Sequence, residues 1–460
     1  MPYFSAAAAR AIPITPLHAK QLKPWLAALP AEIKPWYTRW LATQQFTAKP
    51  DTALVIPNEQ GGVERVLVGT DAAPHIWSLA HLPAIIPAGL YRIEGDWSAT
   101  STSDAALGFA LAQYQFAQYR TIERKALTLA LPKSIDRAAI ERRLSAVTLT
   151  RDLINTPPQD MRPQELARAA QTLAKASGAK FSQIIGDELL AQNYPAIHAV
   201  GRAGPDAPRL LRLQWGNPKH PRVALVGKGV TFDTGGLDLK PLAAMRLMKK
   251  DMGGAALVLG LTKLIIGEKL PIYLDVLIPA VENAIDSHAF RPSDILQTRK
   301  GLTVEIGSTD AEGRLILADA LTEADAHKPA LIIDVATLTG AARTALGAEL
   351  PALYTNDDTL GATLVNHGMA CRDPMWHLPL WQGYAKYINS TVADITNSPN
   401  YAFAGSITAA LFLQRFVSPT TKWVHIDSYA WNLENLPGRP VGGEALCLRA
   451  LFAFLQQRFA

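Results

Sequence analysis

The chain has 460 residues, 48% of them hydrophobic, with a net charge of +5 and a pI near 9.0. That length exceeds what one core usually serves, so two domains are expected. Two cysteines, Cys371 and Cys447, exclude a disulfide framework or a cysteine-rich zinc module and fit a reducing cytoplasm. The basic excess is mild, 15 Lys/Arg against 11 Asp/Glu in residues 1–150. Its densest cluster, Arg137 with Arg142 and Arg143, reads as a solvated helix face and not as a nucleic-acid surface. The N-terminal segment has no positive stretch followed by an apolar run, so no secretory leader is expected. The longest apolar run, near 257–267, is broken by Lys263, which argues against a membrane span.

In chain order, short apolar runs at 52–57 and 65–68, among many Pro and Trp, suggest a small N-terminal α/β domain over 1–140. Trp36, Trp40, Trp77 and Trp97 read as packing residues. Periodicity predicts a helix over 105–119. A second helix opens near Lys133, with Ser134 or Asp136 as N-cap, and is stopped by Pro157 and Pro158. The domain boundary is expected at this linker helix, near 135–155, with a second, larger domain over 155–460. From there strand-like runs (222–226, 272–278, 302–306, 330–336, 422–426) alternate with helical stretches (250–268, 315–327, 358–369, 407–416). Continuous Val/Ile/Leu strands between helices predict a mostly parallel central sheet flanked by helices. Such sheets place their sites at strand ends.

Residues 308–315 carry Asp310 and Glu312 two apart, followed by Gly313 and Arg314. In extended backbone, side chains at i and i+2 point the same way, so the two acids repel unless a cation joins them. The strand over 222–226 empties into a glycine-rich loop that holds Lys228 and Asp233, then Lys240; Asp251 opens a helix. The loop fails as a dinucleotide fingerprint because Phe232 takes the third glycine position, and no phosphate-binding P-loop occurs. Asp233, Asp251, Asp310 and Glu312 together would suffice for two divalent cations bridged by shared oxygens. His425 and Asp427 share one strand face, but no nucleophile elbow accompanies them.

The segments GKGVTFDTGGLDLKP (227–241), MKKDMGGAA (248–256) and STDAEGRLILADAL (308–321) resemble the leucine aminopeptidase family of dinuclear metallopeptidases, peptidase family M17. Further matches are RDLINTP (151–157), ATLTGA (336–341) and GSITAA (405–410). The resemblance implies two divalent metal ions, Zn²⁺ or Mn²⁺. Lys228, Asp233, Asp251 and Glu312 would hold one, and Asp233, Asp310 and Glu312 the other. It implies release of N-terminal residues from short peptides by attack of a metal-activated hydroxide. Lys240 would stabilise the oxyanion, and Arg314 would hold a bicarbonate ion as general base. Leu338 would orient the substrate through its carbonyl, while Met248, Thr337 and Gly340 line the pocket for the N-terminal side chain. A cytoplasmic homohexamer is also implied. Two departures stand out. Ser308 replaces the family's Asn, and residues 440–445 replace its Gly-Ala-Thr-Gly turn. The competing readings are a DNA-binding or scaffold role on the same fold, and a two-metal phosphoesterase, against which the lysine pair argues.

Overall fold

The computed structural model describes residues 3–6, 10–123 and 125–460. They fall into two compact units, one made of Met1–Ser145 with Glu434–Val441, the other of Ala146–Leu433 with Gly442–Ala460. Among the described residues no helix is long and apolar enough to cross a membrane.

The first unit is built on six strands: β1 (Phe4–Ser5), β2 (Ile12–Leu17), β3 (Ala53–Pro57), β4 (Val63–Gly69), β5 (Gly89–Ile93) and β6 (Leu127–Ala130), in spatial order β1-β6-β5-β2-β4-β3. All pairings are parallel except β3 with β4. Alternation in β3 puts Leu54 and Ile56 into a core with Tyr37, Leu41 and Phe46. Trp36 and Trp40 stack on each other against that core, ring centroids 5.8 Å apart. The basic cluster is ion-paired: Arg137 with Glu141, Arg142 with Asp136 and Arg143 with Asp104.

The helix expected over 105–119 runs instead over Ala99–Leu111. Ser98 caps it by accepting from the Ser101 N–H, a start hidden by a polar first turn that breaks the apolar period. At its end the Gln113 side chain takes the Phe109 carbonyl, and the periodic residues beyond do not continue the helix. The next helix spans Arg137–Asn155, and Asp136 accepts from the Ala139 N–H as its cap.

The second unit adds β7 (Lys180–Ile185), β8 (Arg209–Trp215), β9 (Arg222–Gly227), β10 (Gly229–Asp233), β11 (Tyr273–Asn283), β12 (Ile295–Gln297), β13 (Thr303–Glu305), β14 (Leu331–Ala336), β15 (Ala352–Thr355), β16 (Trp376–His377), β17 (Ile395–Thr396) and β18 (Trp423–Asp427). The main sheet has the order β16-β15-β18-β14-β9-β11-β8-β7, with β10 beside the far end of β11. Its centre, β18-β14-β9-β11, is parallel, while β7, β8 and β15 pair antiparallel toward the margins. The sheet is therefore mixed around a parallel middle. Residues 302–306 do not join it. They form β13 in a separate three-stranded sheet with β12 and β17.

Helices cover the sheet because the central strands are apolar on both faces. The helix Gly253–Gly267 buries nearly its whole surface and lies close on β9 and β14. Two glycines make that approach: a Cβ on Gly227 would meet Ala255 Cα at 2.7 Å, and one on Gly254 would meet the Val335 carbonyl oxygen at 2.1 Å. The helix Gly313–Ala326 packs Leu315, Ile316 and Leu321 into a core shared with Val226, Leu277, Ile332, Phe412 and Trp423.

The departing tail has a structural partner. Arg151, wholly buried, makes a two-pronged bond with the Glu444 carboxylate (Nη2–Oε2 2.9 Å, Nε–Oε1 3.2 Å), and Asn432 donates to the same Oε2 at 2.7 Å. Residues 442–445 thus anchor the start of this unit, and Gly443 leaves room for Ile154.

Candidate active site and metal centre

Ten of the eleven sequence-predicted site residues line one cavity of about 220 Å³: Lys228, Asp233, Lys240, Met248, Asp251, Asp310, Glu312, Thr337, Leu338 and Gly340. They arrive from three directions. Lys228 follows β9, where its N–H donates to the Val335 carbonyl of β14, and Asp233 ends β10. Asp251 sits in the 3-10 turn Met248–Met252 that leads into Gly253–Gly267. Asp310 and Glu312 come from the loop after β13, and Glu312 is the N-terminal boundary residue of the helix Gly313–Ala326. The acids therefore do not all stand at the edge of one sheet. The small second sheet delivers two of them.

Charges are interleaved. Lys228 Nζ lies 2.8 Å from Asp251 Oδ2 and 3.0 Å from Glu312 Oε1, and donates to the Thr337 carbonyl at 3.0 Å. Gly313 makes this possible, since a Cβ there would meet Lys228 Cε at 2.5 Å. Lys240 Nζ pairs with Asp233 Oδ2 at 2.8 Å and with Asp310. Asp251 Oδ1 accepts from Thr337 Oγ1 at 2.7 Å. Asp233 Oδ1 accepts from Gly235 N–H and from Asn283 Nδ2.

Burial and mutual repulsion hold the acids up. Burial, with Asp233 nearby, pushes Glu312 up to about 8 against the pull of Lys228. The same pair of causes pushes Asp310 up to about 6, opposed by Lys240. Burial raises Asp251 too. For the lysines burial pulls down, but the surrounding carboxylates outweigh it, so Lys228 and Lys240 lie above the ordinary value. Burial lowers Arg314 to about 10, with Glu312 and Asp427 opposing. Carboxylates so crowded and desolvated favour added positive charge.

The fit to divalent cations can be tested on the atoms. One oxygen from each of Asp233, Asp310 and Glu312 lies within 4.8 Å of the others. Asp251 Oδ2 and Glu312 Oε1 are buried and both face the Lys228 ammonium, so one lysine serves two carboxylates. An all-oxygen donor set with a lysine nitrogen suits hard to borderline cations. The residues fit a divalent-cation site.

Arg314 is the one predicted residue set back from the cavity. It is buried and donates from Nη1 to the Asn397 carbonyl at 2.5 Å, while its Nε finds no acceptor. Sequence reasoning missed Asn397, whose side chain shapes the acidic loop. Its Nδ2 donates to the carbonyls of Ser308 (2.7 Å) and Ala311 (3.2 Å), and its Oδ1 accepts from Gly307 N–H (2.8 Å). Ser308, the departure from the family signature, accepts from the Asp310 N–H at 3.1 Å, the local turn bond that an Asn side chain also makes. Thr309 ties the two ligand loops together, donating to the Gly235 carbonyl and accepting from the Asp238 N–H.

Asp427 does not pair with His425. Its carboxylate accepts from Leu338 N–H (2.9 Å), Thr339 N–H (3.2 Å) and Thr339 Oγ1 (2.6 Å), so it sets the loop that carries Leu338. His425 bonds Asp334 instead, at 2.5 Å. Two further missed residues, Lys250 and Tyr429, line the same cavity. Burial pushes Lys250 down to about 8.

Fold and cluster together are those of an α/β metal-dependent hydrolase. A family model described as the catalytic domain of the cytosol aminopeptidase family, peptidase M17, matches residues 148–452, and one described as the M17 aminopeptidase N-terminal domain matches 12–132. A probable cytosol aminopeptidase of Syntrophotalea carbinolica is 41% identical over 369 residues, 76% of this chain and 74% of the relative. The crystal structure of the Coxiella burnetii cytosol aminopeptidase superposes with a TM-score of 0.94 at 47% identity, covering 99% of this chain and 98% of that one. The bottromycin maturation enzyme BotP in complex with Mn superposes with a TM-score of 0.88 at 32% identity, covering 98% and 100%. The chain belongs to the cytosol aminopeptidase family.

Proposed function

We propose that this cavity removes the N-terminal residue from short peptides, with Lys228, Asp233, Asp251, Asp310 and Glu312 holding two divalent cations, Zn²⁺ or Mn²⁺. The observation that carries the reading is the convergence of four carboxylates and two lysines on one cavity, with buried Asp251 and Glu312 oxygens sharing the single ammonium of Lys228. Divalent cations bound there would supply Lewis acidity, activating water and polarising the scissile carbonyl.

The chain's own groups do the rest. Lys240, raised by its acidic neighbours, stays cationic and donates to the carbonyl oxygen as negative charge builds on it. The Leu338 carbonyl receives a substrate N–H, and Asp427 fixes that loop in place before substrate arrives. Met248, Thr337 and Gly340, which line the cavity, would border the side-chain pocket. Arg314, whose Nε lacks an acceptor, would hold a bicarbonate ion, a weak base of the right strength for proton transfer at neutral pH. Lys228 serves as a ligand only when neutral, and a neighbouring dication disfavours its proton. A cytoplasmic homohexamer belongs to the same proposal.

The test is hydrolysis of leucyl p-nitroanilide and a dipeptide panel by the full chain, stripped of metal and then reloaded with Zn²⁺ or Mn²⁺. Release of free N-terminal residues only after reloading is expected. Equal activity of the stripped protein would contradict it.

A further inference from the structure

Besides Met248, Thr337 and Gly340, the cavity is lined by Lys250, Arg343, Leu350 and Tyr429. Lys250 is only 4% exposed, yet among the described residues its ammonium has neither a hydrogen bond nor an ion pair. The ammonium lies over the Tyr429 ring, 4.5 Å from the centroid, and the Arg343 guanidinium stands 5.2 Å from the same centroid. An aromatic face offsets only a small part of what it costs to bury an unpaired cation. The carboxylates nearest Lys250 are engaged elsewhere: Asp251 with Lys228 and Thr337, Asp427 with the loop at Leu338 and Thr339. Among the described residues this part of the cavity thus holds two cations, buried Lys250 and exposed Arg343, with no anion of their own, beside an aromatic ring and Leu350.

We propose that Lys250, assisted by Arg343, makes this pocket select peptides whose N-terminal residue is acidic, Glu or Asp. This rests on the aminopeptidase reading and names its substrate class. The side-chain methylenes of Glu would lie along Met248 and the Tyr429 ring, and its carboxylate would meet the ammonium. The pair would be buried, so discrimination against the isosteric amide of Gln is large, because Gln leaves the cation unpaired.

The test is kcat/KM of the metal-loaded full chain on aminoacyl p-nitroanilides of Glu, Asp, Gln, Leu and Lys. Glu over Gln by about 10–100-fold is expected, the range of a hydrogen bond to a charged group. Lys250→Met should lower the Glu-to-Leu ratio by a similar factor, and Arg343→Gln should lower it by a few-fold because that cation is more exposed. The wild-type Glu-to-Gln comparison needs no variant, so a poorly folding Lys250→Met does not shield the proposal. Turnover of Leu with Gln as good as Glu overturns it alone, as does a Lys250→Met that slows Glu and Leu in equal proportion. No turnover of any substrate overturns it together with the aminopeptidase reading.

Discussion

Asn397→Ala removes no proposed ligand, yet it should loosen the metal site. The wild-type side chain makes four hydrogen bonds, to the Ser308 and Ala311 carbonyls and from the Gly307 and Ser308 N–H groups. They brace a loop that delivers both Asp310 and Glu312. At about 0.5–1.5 kcal/mol net per bond, their loss destabilises the protein by about 2–4 kcal/mol. The second consequence is functional. Groups that orient ligands without touching the metal typically change affinity by about 10–100-fold. Mn²⁺ affinity by calorimetric titration of the stripped protein, with urea unfolding alongside, reads both quantities. Asn397→Asp keeps the acceptor for Gly307 but loses both donations, so it should fall between wild type and Ala. Stability lost with Mn²⁺ affinity unchanged within about twofold would refute the reasoning, because the loop would then hold its shape without Asn397.

Lys240→Ala should retain both cations but lose kcat by about 10²–10³-fold, the scale of a missing oxyanion donor; metal analysis and steady-state kinetics check this together. Arg151→Met strands the buried Glu444 carboxylate and should cost about 3–5 kcal/mol, whereas Arg151→Met with Glu444→Leu should recover part of it, as thermal unfolding will report. Burial pulls Glu444 up, but Arg151 more than reverses it and holds the carboxyl below its ordinary value. The pair's contribution is therefore complete above the unfolded carboxyl value and is lost as pH falls through the lower folded one. In Arg151→Met that contribution is lost, so stability should fall less steeply with acid through this range than in the wild-type chain.

Much of the second unit was legible because its central strands are continuous Val/Ile/Leu runs between helices, which reflect burial on both faces. The candidate ligands were legible because their chemistry is compressed into short segments: Asp310 with Glu312, Lys228 with Asp233. What stayed hidden depends on distance in sequence. Asn397 sits in a polar loop that looks like any turn, and only its place beside residues 307–311 makes it a brace. Asp427 and His425 share a strand face, which suggested a pair, but each bonds a partner from elsewhere in the fold. Glu444 stood in a tail that looked merely divergent, and its partner Arg151 lies 293 positions earlier. The segment around 303–305 read as one more strand of the main sheet, because strand propensity does not say which sheet a strand joins.

Lys250 shows the opposite case: a residue adjacent to a candidate ligand, indistinguishable in sequence from the exposed lysine of a helix start. Only its burial beside Tyr429 gives it a role.

The most direct measurement is the metal content of Glu312→Ala beside its turnover of leucyl p-nitroanilide. If Glu312 bridges two cations, the purified variant loses both stoichiometric loading and activity, while the wild-type chain binds two cations and is active. A Glu312→Ala protein that keeps two cations and near-normal turnover would contradict the assignment of this cluster as the catalytic metal centre.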